Sequence, residues 1–310
     1  MRREISIDFA DFWHPNTIEA KKNNFLYTLL SKRFDLKFEA KPEFLLYSCF
    51  GVSFIRHSGT RIYYTGENTR PNFGHCDWAF SFDYNEHHRH MRLPYYFFVN
   101  PNILIGPKDI GAALEAKTKF CAFVYSNVKA RTRIKFLEKL SRYKQVDCGG
   151  GVRNNLGYRV GDKIAFLQAY KFNIAFENES YPGYTTEKIA QTFMGNCVPI
   201  YWGNPLIDRD FNREAFVNCH DFRNLDQVVD FVVELDRNDA LYRRCLEAPA
   251  FVDDRLTPFV DEDLILDRFE EIFTTPIARP AAQTVRGRIA NWVREPKQIR
   301  RERRARQTLD

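Results

Sequence analysis

The stretch Tyr170-Lys-Phe-Asn-Ile-Ala-Phe-Glu-Asn178, continued by Glu179-Ser-Tyr-Pro-Gly-Tyr-Thr-Thr-Glu-Lys188 and closed by Pro199-Ile-Tyr-Trp-Gly-Asn-Pro205, constrains the fold more than any other part of this chain. Phe172 to Phe176 is a short apolar run that stops at the polar pair Glu177-Asn178, as expected at the carboxyl end of a buried strand. Pro182 and Gly183 then break the chain. Thr185 or Thr186 is placed to cap a helix carrying Ile189, Ala190 and Phe193 on one face. Glu187 and Lys188 fall in the first turn of that helix, and residues 197–202 supply the next strand. A helix start presents free backbone N–H groups and a positive dipole end. With a lysine added, this place suits a phosphate group, beside a carboxylate that can accept from hydroxyls.

The rest of the chain repeats the alternation. Glu4–Phe9 predicts a strand, Ile18–Arg33 a helix, and Glu43–Phe50, Arg61–Thr65 and Trp78–Phe82 further strands. Residues 95–118 contain Pro101, Gly106, Pro107 and Gly111, and a domain boundary is expected there. Lys119–Tyr125 opens a second alternating unit, with a helix over Arg131–Tyr143 and amphipathic helices over Asn224–Leu235 and Asp263–Phe273. This is the pattern of parallel α/β sheets. The expected fold is α/β, with two Rossmann-like doubly wound domains facing a cleft in the GT-B manner. The expected division is 1–115, 116–275 and a basic tail over 276–310. In such sheets ligands lie beyond the carboxyl ends of the strands, so Glu67, Ser126, Asn178 and Glu187 are expected to converge on one cleft.

Charge narrows the partners. Nine basic and three acidic side chains fall within 281–310, so this stretch carries the whole net charge of +6 and the remainder is neutral. Val285, Ile289, Trp292 and Val293 lie on one helical stripe among the arginines, which suits an anionic membrane surface. No base-reading module accompanies the charge, so no nucleic-acid partner is expected. The seven cysteines show no Cys-x-x-Cys spacing and read as free, buried thiols of a reducing compartment. Asp208-Arg-Asp210 and Asp261-Glu-Asp263 have Asp-x-Asp spacing but sit where structural roles suffice, and His87-His-Arg-His90 reads as a solvated loop. No metal site is expected. The first residues read as a strand rather than a signal peptide, and no apolar run of membrane-spanning length occurs.

The opening stretch resembles the donor-binding motif of the α-1,3/4-fucosyltransferases, especially the bacterial members. Further blocks occur in the family's order: Tyr63-Tyr-Thr-Gly-Glu-Asn68, Pro71-Asn-Phe73, Asp77-Trp-Ala-Phe-Ser-Phe-Asp83, Arg92-Leu-Pro94, Ser126-Asn127 with Arg133, Gly149-Gly-Gly-Val-Arg-Asn154, Leu156-Gly-Tyr158 and Phe216-Val-Asn-Cys-His-Asp-Phe222. The resemblance implies a cytoplasmic or inner-membrane-peripheral enzyme that moves L-fucose from GDP-fucose, with inversion. The acceptor would be the 3-hydroxyl, or the 4-hydroxyl, of N-acetylglucosamine in a lactosamine-type glycan. GDP-fucose is the implied donor substrate and no cofactor is required. Two other readings remain: a GT-B transferase using another nucleotide sugar, and a non-catalytic membrane or nucleic-acid adaptor on the same fold.

Fucosyl transfer requires a stabilised leaving diphosphate, tolerance of a cationic sugar ring, and removal of the acceptor's proton. Arg133 follows the 119–125 strand near a helix start, where a guanidinium can grip phosphate oxygens bidentately. By itself it is one charge among Lys129, Arg131, Lys135 and Lys139; the resemblance makes it the diphosphate arginine. Lys188 matches the second cation of the donor site, and Glu187 the carboxylate beside the sugar or ribose. Asn178 and Tyr184 match further donor contacts. Glu67 matches the proposed general base. Many relatives carry a second acid two positions on, where this chain has Thr69 followed by Arg70. Gly149-Gly-Gly lacks the P-loop pattern and reads as a tight loop, with Arg153 structural.

Overall fold

The computed structural model describes residues 2–275 together with 277, 280–285 and 287–289. They form two compact units, one from the first 93 residues plus the described residues from Asp261 onward, the other spanning Pro94–Val260.

The first unit is built on β1 (Arg3–Ala10), α1 (Ile18–Lys22), α2 (Phe25–Leu30), β2 (Phe34–Lys37), β3 (Phe44–Tyr47), β4 (Thr60–Tyr64), β5 (Trp78–Ser81) and β6 (His90–Arg92). The second contains α3 (Ile110–Glu115), β7 (Lys119–Phe123), α4 (Arg131–Leu140), β8 (Val146–Cys148), α5 (Lys163–Leu167), β9 (Tyr170–Phe176), α6 (Glu187–Met194), β10 (Val198–Trp202), β11 (Val217–Asn218), α7 (Leu225–Arg237) and α8 (Asp239–Glu247). The chain then returns to the first unit as α9 (Glu262–Thr274). Each unit holds one parallel sheet, ordered β2-β1-β3-β4-β5-β6 in the first and β11-β10-β9-β7-β8 in the second. These are α/β units with parallel sheets, as the alternation predicts.

Several expectations shift. The helix expected over Ile18–Arg33 is two short helices, because buried Asn24 caps α2 by accepting from Leu26 N at 2.9 Å; residues 34–37 then join the sheet. The chain divides after Leu93 rather than at 115. Tyr96 is buried against Phe211 and Phe251 and its hydroxyl donates to Asp210, which ties this segment to the second unit. The helix expected at the end of the donor domain, α9, packs instead on the first sheet, with Phe269 on Phe80 and Phe273 against Phe34 and Phe44. Part of the segment expected as a detached tail also packs there: Ala281 N donates to Asp77 at 2.7 Å and Gln283 to Ser58 O at 3.0 Å. Trp292, Val293 and most of the basic residues lie outside the described residues. Among the described residues no helix is long and apolar enough to cross a membrane. All seven cysteines are free; Cys49 and Cys245 are half-buried and the other five buried.

Candidate active site

In the second sheet β7 continues outward to β8, whereas β9, on its other side, continues to β10. The crevice beyond the carboxyl ends of β7 and β9 is therefore the topological switch point, where doubly wound sheets bind ligands. Arg133, Asn178, Tyr184, Glu187 and Lys188 all lie on segments that leave these two strands.

Arg133 is in the first turn of α4 and only 1% exposed. Its guanidinium lies 3.7 Å from the centre of the Tyr125 ring. Nη2 donates to Phe176 O at 2.7 Å and to Asn178 Oδ1 at 3.0 Å, while Nε and Nη1 are buried without a partner among the described residues. Buried donors left unmade are costly, so they mark a place where an acceptor belongs. Tyr125 is fixed from the opposite side, its hydroxyl donating to Ile174 O and Phe176 O. Burial, against the pull of Arg133, pushes its phenol up to about 12, so it stays a neutral donor. The glycine loop closes over this strand end. Val152 N donates to Tyr125 O at 2.9 Å, and a Cβ on Gly150 would stand 2.1 Å from that oxygen, so only glycine fits.

Below Arg133 lies a cluster of paired charges. Glu177, with no exposure, accepts from Thr186 N at 2.8 Å, from Thr186 Oγ1 and from Lys188 Nζ at 2.9 Å. Thr186 holds the N-cap position of α6, yet its hydroxyl serves Glu177 instead of the helix. Lys188 also donates to Thr186 Oγ1 at 2.7 Å and lies 3.8 Å from Glu187. Burial opposes the Lys188 charge, but Glu177 and Glu187 outweigh it and hold the ammonium above its usual range. Burial likewise works against the Glu187 carboxylate, and Lys188 with Lys163 reverses this and keeps its pKa low. Gly203 makes room for Glu177, since a Cβ there would stand 2.4 Å from the Glu177 Cγ.

The Gly183-Tyr184-Thr185 turn is held from below. Gly183 N donates to Asn204 Oδ1, Thr185 Oγ1 donates to Asp210 at 2.7 Å, and Asn204 Nδ2 donates to Thr185. The Tyr184 side chain is buried, 1% exposed. Asp210 belongs to that network whereas Asp208 is exposed, so the two carboxylates of the Asp-x-Asp do not face one place. Among the described residues no group of three or more His, Cys, Asp or Glu could hold a metal ion.

Glu67 lies in the first unit, exposed just beyond β4. Its loop is tightly fixed: Glu67 N donates to Thr65 Oγ1 at 3.0 Å, and Arg70 pairs with Asp83 at 2.9 Å. Thr69 is bonded to the Tyr63 and Thr65 hydroxyls at 2.7 and 2.9 Å. In this sheet the switch point lies between β1 and β3. Beyond these strands Trp13 and Phe50 stand 48% and 44% exposed, with ring centres 5.8 Å apart, and Trp13 stacks on Phe25 at 5.6 Å.

Local patterns did not point to Glu177, Lys163, Tyr125 or the Trp13–Phe50 ledge. A signal existed for the ledge, in one aromatic, Phe50, closing a predicted strand and another, Trp13, a few residues past one. His90 departs from the expected solvated loop: it joins β6, is buried and bonds Ser81 Oγ at 2.9 Å, because β6 completes the sheet. Arg153 is exposed and pairs with Glu138 at 3.0 Å.

Residues 7–99 match the sequence profile of the Alpha-(1,3)-fucosyltransferase FucT N-terminal domain, and residues 114–248 that of the Glycosyltransferase family 10 (fucosyltransferase) C-terminal part. Alpha-(1,3)-fucosyltransferase FucT of Helicobacter pylori is 33% identical over 285 residues, 77% of this chain and 58% of that protein. Alpha-(1,3)-fucosyltransferase 4 of Mus musculus is 31% identical over 160 residues, 50% of this chain and 37% of that protein. The chain thus spans less than two thirds of either relative's length. A crystal structure of an alpha1,3-fucosyltransferase with GDP-fucose superimposes with a TM-score of 0.79 at 29% identity, covering 90% of this chain and 93% of that one. The form with GDP gives 0.78 over the same shares.

Proposed function

This chain belongs to the family 10 fucosyltransferases, and on that footing we propose that it is an inverting α-1,3-fucosyltransferase. It would move L-fucose from GDP-fucose to the 3-hydroxyl, or the 4-hydroxyl, of N-acetylglucosamine in a lactosamine-type glycan. The observation that carries this is the Arg133 guanidinium, held at the switch point with two buried donors that have no acceptor among the described residues. A diphosphate supplies acceptors of the right charge there, and the first turn of α6 adds Lys188. Asn178, Tyr184 and Glu187 are assigned to the nucleotide and sugar hydroxyls.

As the glycosidic bond to GDP breaks, negative charge grows on the diphosphate and positive charge on the fucose ring. Arg133 and Lys188 stabilise the first, because they are already oriented and shielded from water. Glu67 takes the proton of the acceptor hydroxyl as that oxygen attacks the face opposite GDP. One displacement turns the β-linked donor into an α-linked product. The proposed donor residues lie in the second unit and the proposed base in the first, and GDP-fucose is the proposed donor substrate. The exposed Trp13–Phe50 ledge supports a glycan acceptor, since apolar sugar faces pack on aromatic rings. Membrane association through the basic 276–310 segment, a cytoplasmic location, and products of the Lewis-antigen or lipopolysaccharide type belong to the same proposal.

Arg133→Ala is expected to weaken GDP binding and lower turnover together, at a cost of about 2–4 kcal/mol in the transition state. Calorimetry with GDP and steady-state transfer assays check this, and turnover within about threefold of wild type would remove Arg133 from the diphosphate role. Trp13→Ala is expected to raise the acceptor KM about 3- to 10-fold, the worth of one aromatic contact, and to leave GDP affinity unchanged. An unchanged acceptor KM would detach the ledge from acceptor binding.

A further inference from the structure

Lys163 begins α5, just after its N-cap Asp162, and points its ammonium at α6, where Nζ donates to Gln191 Oε1 at 3.2 Å. Gln191 lies one helical turn beyond Glu187 on the same face. An ammonium has three N–H donors, and this is the single hydrogen bond Lys163 makes among the described residues. The charged groups around it are Glu187 and Lys188 on α6, Glu177 beyond β9 and Arg133 on α4. The Cys197 thiol also faces it; burial pushes that thiol up to about 12, so it stays neutral. Counted without Lys163, the cluster holds Arg133 and Lys188 against Glu177 and Glu187, and is electrically balanced. Lys188 in particular is already committed to two carboxylates. A diphosphate entering between these four groups would meet no net positive charge from them.

We propose that Lys163 is a third cation of the donor site, which supplies the surplus charge for a nucleoside diphosphate and takes up a proton as it binds. This rests on the donor assignment above. Burial presses the Lys163 ammonium down to about 8, with Lys188 and Arg133 pushing the same way against Glu187 and Glu177. A diphosphate adds negative charge and favours the protonated form, so binding draws in a proton wherever Lys163 stands partly neutral. Below that range the lysine is already charged and binding is proton-neutral. Above it, affinity falls as pH rises.

The test is calorimetry of GDP binding to the full chain in buffers of low and high ionisation enthalpy. Near pH 8 the wild type is expected to take up about half a proton per GDP, and its affinity to fall about tenfold between pH 7 and pH 9. Lys163→Arg, charged throughout this range, is expected to bind GDP without that uptake and with a flatter pH profile. Lys163→Met is expected to bind GDP about tenfold more weakly at pH 7, again without uptake. Equal uptake by wild type and Lys163→Arg, or wild-type affinity in Lys163→Met, overturns the role. Should Lys163→Met fail to fold, the proton count of Lys163→Arg decides alone. Failure of the wild type to bind GDP at pH 7 would instead sink the donor assignment.

Discussion

Replacing Glu67 by glutamine is expected to lower fucosyl transfer about 10²- to 10⁴-fold, the usual worth of a positioned general base, with GDP-fucose binding near normal. The substitution removes the base and keeps the side chain's size. The loop is held through the Glu67 main chain by Thr65, and through Arg70 and Asp83, so glutamine keeps its shape. Glu67 also lies in a different unit from Arg133 and Lys188, so donor affinity has no reason to change. The pH–rate profile is expected to lose its acidic limb, since no carboxylate remains to be protonated. Thr69 offers no substitute base, because its hydroxyl is engaged by Tyr63 and Thr65. Near-normal transfer by Glu67→Gln would move the base elsewhere, with Glu187 the next candidate. A β-linked product, read from NMR couplings, would refute the inverting mechanism.

Glu177→Ala is expected to destabilise the protein by about 3–5 kcal/mol, because removing one partner of a buried pair strands the other's charge. Lys188 would keep its 2.7 Å bond to Thr186 Oγ1 but would have no carboxylate closer than Glu187 at 3.8 Å, and Thr186 N and Oγ1 would lose their acceptor. The raised pKa of Lys188 sets the sign with pH. Stabilisation of a cation is fully present below its ordinary 10.5 and is lost only as pH rises through the folded value, so the penalty of Glu177→Ala should show undiminished at neutral pH. Glu187 behaves oppositely: its pKa is held low, so its contribution is present above the ordinary 4.5 and fades as pH falls through the folded value. Denaturant unfolding checks both. The double variant Glu177→Ala with Lys188→Met is expected to recover part of the loss, since the stranded charge is gone. A loss below about 1 kcal/mol for Glu177→Ala would mean that Lys188 finds other partners.

The positions of the residues expected to bind the donor were legible because each follows a strand whose signal is local, whereas their assignment to the donor came from the resemblance: Arg133 by itself read as one charge among Lys129, Arg131, Lys135 and Lys139. Phe172–Phe176 is apolar enough to mark β9, so Asn178 and the α6 start had to lie at a strand's carboxyl end. Arg133 followed in the same way from the 119–125 run. Helix boundaries were clear where a cap and a stripe agreed, as at Asn224 before α7 and Asp261 before α9. They were unclear where a short polar residue competed, as at Asn24, which splits one amphipathic run into α1 and α2. β6, β8 and β11 are two or three residues long, too short for periodicity to register.

Local sequence therefore determined that this chain builds parallel α/β sheets, and which strand ends carry Arg133, Asn178, Glu187, Lys188 and Glu67. Tertiary structure alone decided what those side chains experience. It brought Glu177 under Lys188, put the Tyr125 ring beneath Arg133 and turned Lys163 from α5 toward α6. It also returned α9 to the first unit through Phe269 and Phe273. Strand and helix signals arise between residues a few positions apart, whereas burial and charge pairing depend on segments brought together from far along the chain. An arginine's type and spacing place it after a strand; only packing removes its water and leaves two of its donor atoms waiting for an acceptor.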